Sequence, residues 1–295
     1  MANSHRHCHN EGVRLLPPTC DCELIQQTLI MKVLHQIYIF IVLLLVSLSS
    51  MAQGARGLNI VVLGDSNTSI GGDSCTLDRG WTRWFKERMQ PASMHSYARS
   101  GATWTNTTAT RLNTQEYTEV LADCNVVYNQ VERLTLAYRQ GSQPAPDVII
   151  IAAGTNDAWF KQRRPLLFSK TAEQAFVQTA FITGRKPSAI LSLAESVRYG
   201  VELLMERFPK SRIILLTPMQ TTKAPYSDVR RVGDVIEEVG RRMSVPVVRQ
   251  DHITGVYSNR ELRKPFLTSD GTHTSVEGAR RNGRLLARQI EPLLF

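Results

Sequence analysis

Long apolar runs, cysteine and blocks of like charge are all scarce in this sequence, and each scarcity closes a class of explanation. The longest continuous apolar stretch is Ile37–Val46. That is shorter than the about 20 residues of a membrane-spanning helix, which excludes a polytopic membrane protein. No block of five or six like charges occurs, although Lys and Arg exceed Asp and Glu by 35 to 26. The net charge of +9 therefore reads as a solvated basic surface, and no nucleic-acid partner is expected. Beyond residue 52 only Cys75 and Cys124 remain. In an exported chain such a pair invites a disulfide, which sequence alone leaves open. There is no internal repeat and no low-complexity segment. What is present, 42% hydrophobic and 21% charged residues, is enough to bury a core and excludes a disordered chain.

The first 52 residues stand apart. Met31-Lys32 leads into Ile37–Val46, and Ser47-Leu-Ser-Ser-Met-Ala52 follows. A short basic start, an apolar middle and small residues before a cut describe a secretory signal over residues 31–52. Cleavage after Ala52 puts Ser50 and Ala52 at the minus-three and minus-one positions. An uncleaved anchor is the alternative. A signal belongs at an N-terminus, so residues 1–30 read as an over-long extension. The His5–His9 and Cys20–Cys22 tract, which would otherwise look metal-binding, then lies outside the mature protein. The expected product is periplasmic or secreted and has no stable membrane anchor after cleavage. It keeps 32 basic and 23 acidic residues, still +9.

From residue 57 to 295, strands and helices alternate. Leu58–Leu63 ends in Gly64 and reads as a buried strand; Gly80–Met89 follows as an amphipathic helix, and Ser93–Ala98 as a second strand. Helical spacing of Val120, Val127, Val131 and Leu134 predicts a helix over 115–139. Asp147–Ala152 is the third strand, Leu191–Phe208 a helix and Arg212–Thr217 the fourth strand. A helix around Val232–Val239, a strand at Val245–Val248 and a last helix over 275–294 complete the chain. Such βαβ units imply one α/β domain with a parallel sheet covered on both faces. Ala158–Pro187 fits no strand and exceeds a typical connection, which makes it a candidate lid.

Ligands of open α/β sheets bind beyond the carboxyl ends of strands, and four clusters fall near such ends. They are Gly64-Asp65-Ser66-Asn67, Ser100-Gly101, Gly154-Thr155-Asn156-Asp157 and Asp270-Gly271-Thr272-His273. A serine, an acid and a histidine are the parts of a nucleophilic hydrolase. Three histidines follow residue 52. His95 lies in a strand, where a structural role is the default. His252 has Asp251 beside it, and neighbours in a loop rarely meet side chain to side chain. Asp270 and His273, three apart, can meet within one turn.

The four clusters resemble, in order, the blocks of the SGNH hydrolases, also called the GDSL esterase/lipase family. The resemblance covers essentially the whole chain after the signal. It implies a flavodoxin-like three-layer α/β/α sandwich with a central parallel sheet of about five strands. By the same resemblance, Ser66 is the nucleophile, His273 the general base and Asp270 its orienting acid. The oxyanion hole would comprise the N–H groups of Ser66 and Gly101 and the amide of Asn156. No metal or other cofactor is implied. Asp65 and Asp157 are read as loop holders. The sequence departs from the family at Asn67, often Leu there, and at Thr274, often Pro. No Asn precedes Gly101, Ser96 and Tyr97 occupying that region.

Two rival motifs fail. An α/β-hydrolase elbow needs Gly-x-Ser-x-Gly, whereas the fifth residue here is Thr68. A phosphate loop needs a Gly-Lys-Ser/Thr ending that Gly64–Gly72 lacks. The expected activity is hydrolysis of carboxylic esters, with O-acetyl carbohydrate as the working substrate. A short-chain lipase or arylesterase, or a catalytically silent carbohydrate-binding relative, is the alternative. Trp104 and Trp159, beside the clusters, are candidates to stack on a sugar ring or to wall an acyl pocket.

Overall fold

A computed structural model describes residues 20–51, 55 and 57–294. Two units divide the chain, 1–53 and 54–295. In the first, α1 (Cys20–Met51) is one continuous helix, and Gln26–Leu43 within it is apolar enough to cross a membrane. The proposed cut after Ala52 and the tract before Cys20 lie outside the described residues.

In the second unit β1 (Asn59–Gly64) leads to the one-turn α2 (Ser66–Ser69), α3 (Trp81–Met89), β2 (Ser93–Ser96) and α4 (Val127–Arg139). Then come β3 (Val148–Ala152), the short α5 (Thr155–Trp159) and α6 (Ala172–Ala175), α7 (Leu193–Arg207) and β4 (Arg212–Leu216). The chain ends with α8 (Tyr226–Arg242), β5 (Val247–Val248), α9 (Gln250–Ile253), α10 (Ser258–Arg263) and α11 (Val276–Ile290). All strand pairs are parallel, in the order β2-β1-β3-β4-β5.

Alternation along the strands makes the layers. Val61, Leu63, Ile149, Ile151, Ile213 and Leu215 join one core with residues of α4, α7 and α8. Their neighbours Ile60, Val62, Val148, Ile150, Ile214 and Leu216 join another with Trp81 and Phe85 of α3 and Leu286 and Ile290 of α11. A β-strand shows successive side chains to opposite faces, so uninterrupted β-branched runs need helices on both sides. Each such side chain contributes about 1.5–3 kcal/mol on burial. The flavodoxin-like sandwich expected from the sequence is the fold observed. Its strand order reverses direction between β1 and β3, the position where doubly wound sheets open a crevice.

Two expectations need correction, and the question of a disulfide, left open by the sequence, is answered. The helix predicted from residue 115 starts only at Val127. Asparagines bind carbonyls of the stretch before it instead of leaving them to helical pairing: Asn125 Nδ2 donates to Glu119 O at 3.0 Å, and Asn129 Nδ2 to Cys124 O at 2.9 Å. A parallel bridge between Thr103 and Val126 completes the diversion. The segment 158–187 is not a free lid. Leu167, Ala172, Ala175 and Ile182 are buried in the main core, and the Arg198 guanidinium of α7 donates to the carbonyls of Ala175, Gln178 and Ala180. Cys75 and Cys124 are both free, so no disulfide joins them. Burial pushes the Cys75 thiol up to about 11, leaving it inert near neutral pH.

Candidate active site

Ser66 opens α2 immediately beyond β1. The chain can turn there because Gly64 has no side chain: a Cβ would lie 2.2 Å from the carbonyl oxygen of Ala152 on β3. Gln130 of α4 grips the same residue, its Oε1 accepting from Gly64 N at 2.7 Å and its Nε2 donating to Gly64 O at 2.8 Å. Asp65 caps α2 by accepting from Asn67 N at 3.1 Å, and its other oxygen accepts from Thr155 N at 3.2 Å. One buried carboxylate thus joins the loops after β1 and β3. Burial raises Asp65 to about 6, against the hydrogen bonds from Thr155 and Asn67 and the charge of His273.

Asp157 ties the loop after β3 to the one after β2. Its oxygens accept from Trp104 N at 2.9 Å, Thr105 N at 3.0 Å and Thr105 Oγ1 at 2.7 Å. This carboxylate is fully buried, and burial raises its pKa despite those bonds. Asn156, beside it, donates from Nδ2 to Ala102 O at 2.8 Å. Gly101 sits at φ +78°, and Val120 packs so close that a Cβ would come within 2.7 Å of its Cα. Among the described residues the Gly101 N–H has no acceptor.

The acid and the imidazole meet. His273 Nδ1 is 2.7 Å from Asp270 Oδ2, while Asp270 Oδ1 accepts from the backbone N–H groups of His273 at 2.8 Å and Thr272 at 2.9 Å. Partial burial would raise Asp270, but the bonds from His273 and Thr272 outweigh it and hold the carboxyl at about 2. Arg79 secures this loop to the segment after Ser66, donating from Nη2 to Ser269 Oγ at 2.7 Å, while its carbonyl accepts from Thr274 Oγ1 at 2.6 Å.

Two expectations about neighbouring residues fail. Trp104 is buried, its Nε1 donating to Ala153 O at 3.2 Å, and its ring lies against Gly200. It is a core residue and cannot stack on substrate. Trp159 remains at the rim, part-exposed and stacked on Phe160 at 4.9 Å between ring centroids. His252, contrary to expectation, does approach its neighbour, with Nε2 3.2 Å from Asp251 Oδ2. Asp251 is fully buried and already holds Arg249 and Thr217, which makes it a structural anchor. Sequence reasoning missed Gln130, whose contribution carries no motif, and gave Thr155 no role within its cluster.

The crevice at the β1/β3 switch point and the clusters around it define a parallel-sheet hydrolase. The GDSL-like lipase/acylhydrolase family matches residues 62–281, and the chain belongs to that family; it is a carboxylic ester hydrolase. Solved structures agree on the fold. One from Chitinophaga pinensis, described as a possible lipase, superposes with a TM-score of 0.53 at 16% identity, covering 80% of this chain and 98% of its own. A protein from Lactobacillus plantarum gives 0.51 at 13% identity, covering 80% and 98%. No curated protein sequence matches this one.

Proposed function

We propose that the protein is an exported serine esterase that removes O-acetyl groups from carbohydrate. The observation carrying the chemistry is the 2.7 Å His273–Asp270 pair, held on a loop that Arg79 fastens to the segment after Ser66. In the proposed reaction Ser66 Oγ attacks the ester carbonyl while His273 takes its proton. Asp270 keeps the ring in the right tautomer and stabilises the imidazolium. The tetrahedral oxyanion is received by the N–H groups of Ser66 and Gly101 and by the Asn156 amide, each donor supporting about 3 kcal/mol of barrier lowering. His273 returns the proton to the leaving alcohol, giving an acyl-enzyme. Water, deprotonated by the same ring, then releases the acid and restores Ser66.

An open groove supports a polyhydroxylated alcohol. It is about 630 Å³, and Lys223, Tyr226, Tyr257 and Asn259 are among the residues that line it. It adjoins the His273 loop, Thr222 N donating to Gly271 O at 2.8 Å. Because His273 protonates the leaving group, the alcohol belongs on that side, and exposed tyrosines with polar neighbours suit a sugar ring. Export rests on the apolar α1, read as a signal cleaved after Ala52 and leaving the mature protein without a membrane anchor.

The deciding experiment compares acetate release from acetylated glycans with hydrolysis of a p-nitrophenyl ester chain-length series. Acetate release from glycan with a steep fall in rate beyond short acyl chains is expected. Rates that rise with chain length and no glycan activity would make the protein a lipase.

A further inference from the structure

Outside the crevice, Arg164 stands out among the described residues as a partly enclosed guanidinium with no hydrogen bond. Arg164 follows the 3₁₀ turn Lys161–Arg163, and its guanidinium forms no hydrogen bond or ion pair with the described residues; Nε and Nη2 are shut off from solvent. Its neighbours are differently disposed: Lys161 pairs with Asp228 at 2.7 Å, and Arg163 is exposed. The nearest acids, Asp157 and Asp123, act on Arg164 through their charge and make no hydrogen bond to it. Both oxygens of Asp157 are taken by Trp104 and Thr105, and Asp123 accepts from Thr107 at 2.5 Å. An arginine stays charged in a protein, and a buried charge without a hydrogen-bonded partner is costly. Such a group invites solvent or a ligand to complete it.

The place it would be completed is a cavity of about 170 Å³ lined by Arg163, Arg164, Pro165 and Leu166 on one side and Asn106, Thr107 and Thr108 on the other. Asn106 is buried; its Nδ2 donates to Pro187 O at 3.2 Å, while its Oδ1 has no donor. Asn106 Oδ1 and the Nε and Nη2 of Arg164 are enclosed behind the wall, but Arg164 as a whole is part-exposed, which leaves Nη1 as the edge open to the cavity, beside the exposed Arg163. It is below the roughly 300–1,000 Å³ of a drug-sized ligand site, which fits one ring or less. Asn106 directly follows Thr105, which holds Asp157 beside Asn156, so the cavity flanks the crevice. Apolar acyl chains leave the guanidinium unmet, whereas a carboxylate satisfies it.

We infer that this cavity is a subsite for a uronic acid residue, its carboxylate on Arg164, so that the substrate is an acidic glycan. The inference rests on the carbohydrate-ester reading, and binding tests it without any turnover. The probes for the full chain are glucuronate, glucose and inorganic phosphate, read by calorimetry and thermal shift. Glucuronate should bind wild type at least about tenfold tighter than glucose, the worth of one charge-assisted bond. Arg164→Gln should erase that difference without lowering the melting temperature, since it removes an unpaired charge. Asn106→Asp, which brings a carboxylate beside Arg164, should also abolish glucuronate binding, and it decides the matter if Arg164→Gln fails to fold. Equal affinity for glucuronate and glucose, glucuronate binding that survives both substitutions, or binding of phosphate alone would overturn the subsite. Glucuronate binding without acetate release from any glycan would instead sink the carbohydrate-acetate reading and leave the subsite standing.

Discussion

At the scale of single residues, the crevice is organised by carboxylates with opposite tasks. Asp270 is held ionised by the groups that donate to it, and Asp65 is kept from ionising easily by burial. For Asp65 the folded value, about 6, exceeds the ordinary 3.8, so between those values the folded chain binds more protons than the unfolded one. Stability from this group is therefore present in full below pH about 4 and is lost as pH rises through 6, by an amount of order 3 kcal/mol. Asp65→Asn should flatten that decline, measurable by urea unfolding across pH 4 to 7. A mutant curve parallel to wild type would show that Asp65 does not titrate in this range. Ser66→Ala should lower kcat for a p-nitrophenyl acetate assay by at least about 10³-fold with the fold intact by circular dichroism. A folded mutant near wild-type rate would remove Ser66 as the nucleophile.

At the scale of elements, loops gain their shape from helices that carry no recognisable motif. Gln130 of α4 donates to and accepts from Gly64, two residues before Ser66. Gln130→Leu leaves a buried Gly64 N–H unpaired and should cost about 1–3 kcal/mol by denaturant titration; an unchanged midpoint would mean that the loop is held elsewhere. Gly101 is the complementary case. Its left-handed φ and the close Val120 backbone leave no room for a methyl group. Gly101→Ala should therefore displace the loop after β2 and lower kcat more than it raises KM, since the proposed oxyanion contact forms in the transition state. A rise in KM alone would argue against that role. The segment 115–126 shows why periodicity misled: Val120 recurs at helical spacing but covers Gly101, and neighbouring asparagines take the carbonyls that a helix would have used.

At the scale of the whole molecule, stability comes from two cores on either face of one sheet and not from covalent links. With Cys75 and Cys124 both free and buried, the melting temperature should be insensitive to dithiothreitol, and the mass of the denatured protein after alkylation should show both thiols modified without prior reduction. A reductant-dependent mass would indicate a bridge after all. The exported form should begin at Gln53, which intact-mass measurement tests; a species retaining residues 31–52 would favour an anchored protein.

The strands were legible because a parallel sheet buried on both faces demands nearly unbroken apolar runs, and Ile60–Leu63, Val148–Ile151 and Ile213–Leu216 have no other use for them. Three of the four clusters were legible for a related reason: they follow β1, β2 and β3, where backbone groups leave the ladder, while Asp270–His273 stands just before α11. The meeting of Asp270 with His273 needed only one turn of chain. What the sequence could not determine depends on contacts between distant positions. Trp104 and Trp159 are equally aromatic and equally near a cluster, yet only packing against Gly200 and a bond to Ala153 decide that one is core and the other rim. Arg163 and Arg164 are adjacent and chemically identical. The tertiary fold alone leaves one in solvent and closes the other, unpaired, into a cavity wall, because burial is a property of what the rest of the chain brings alongside.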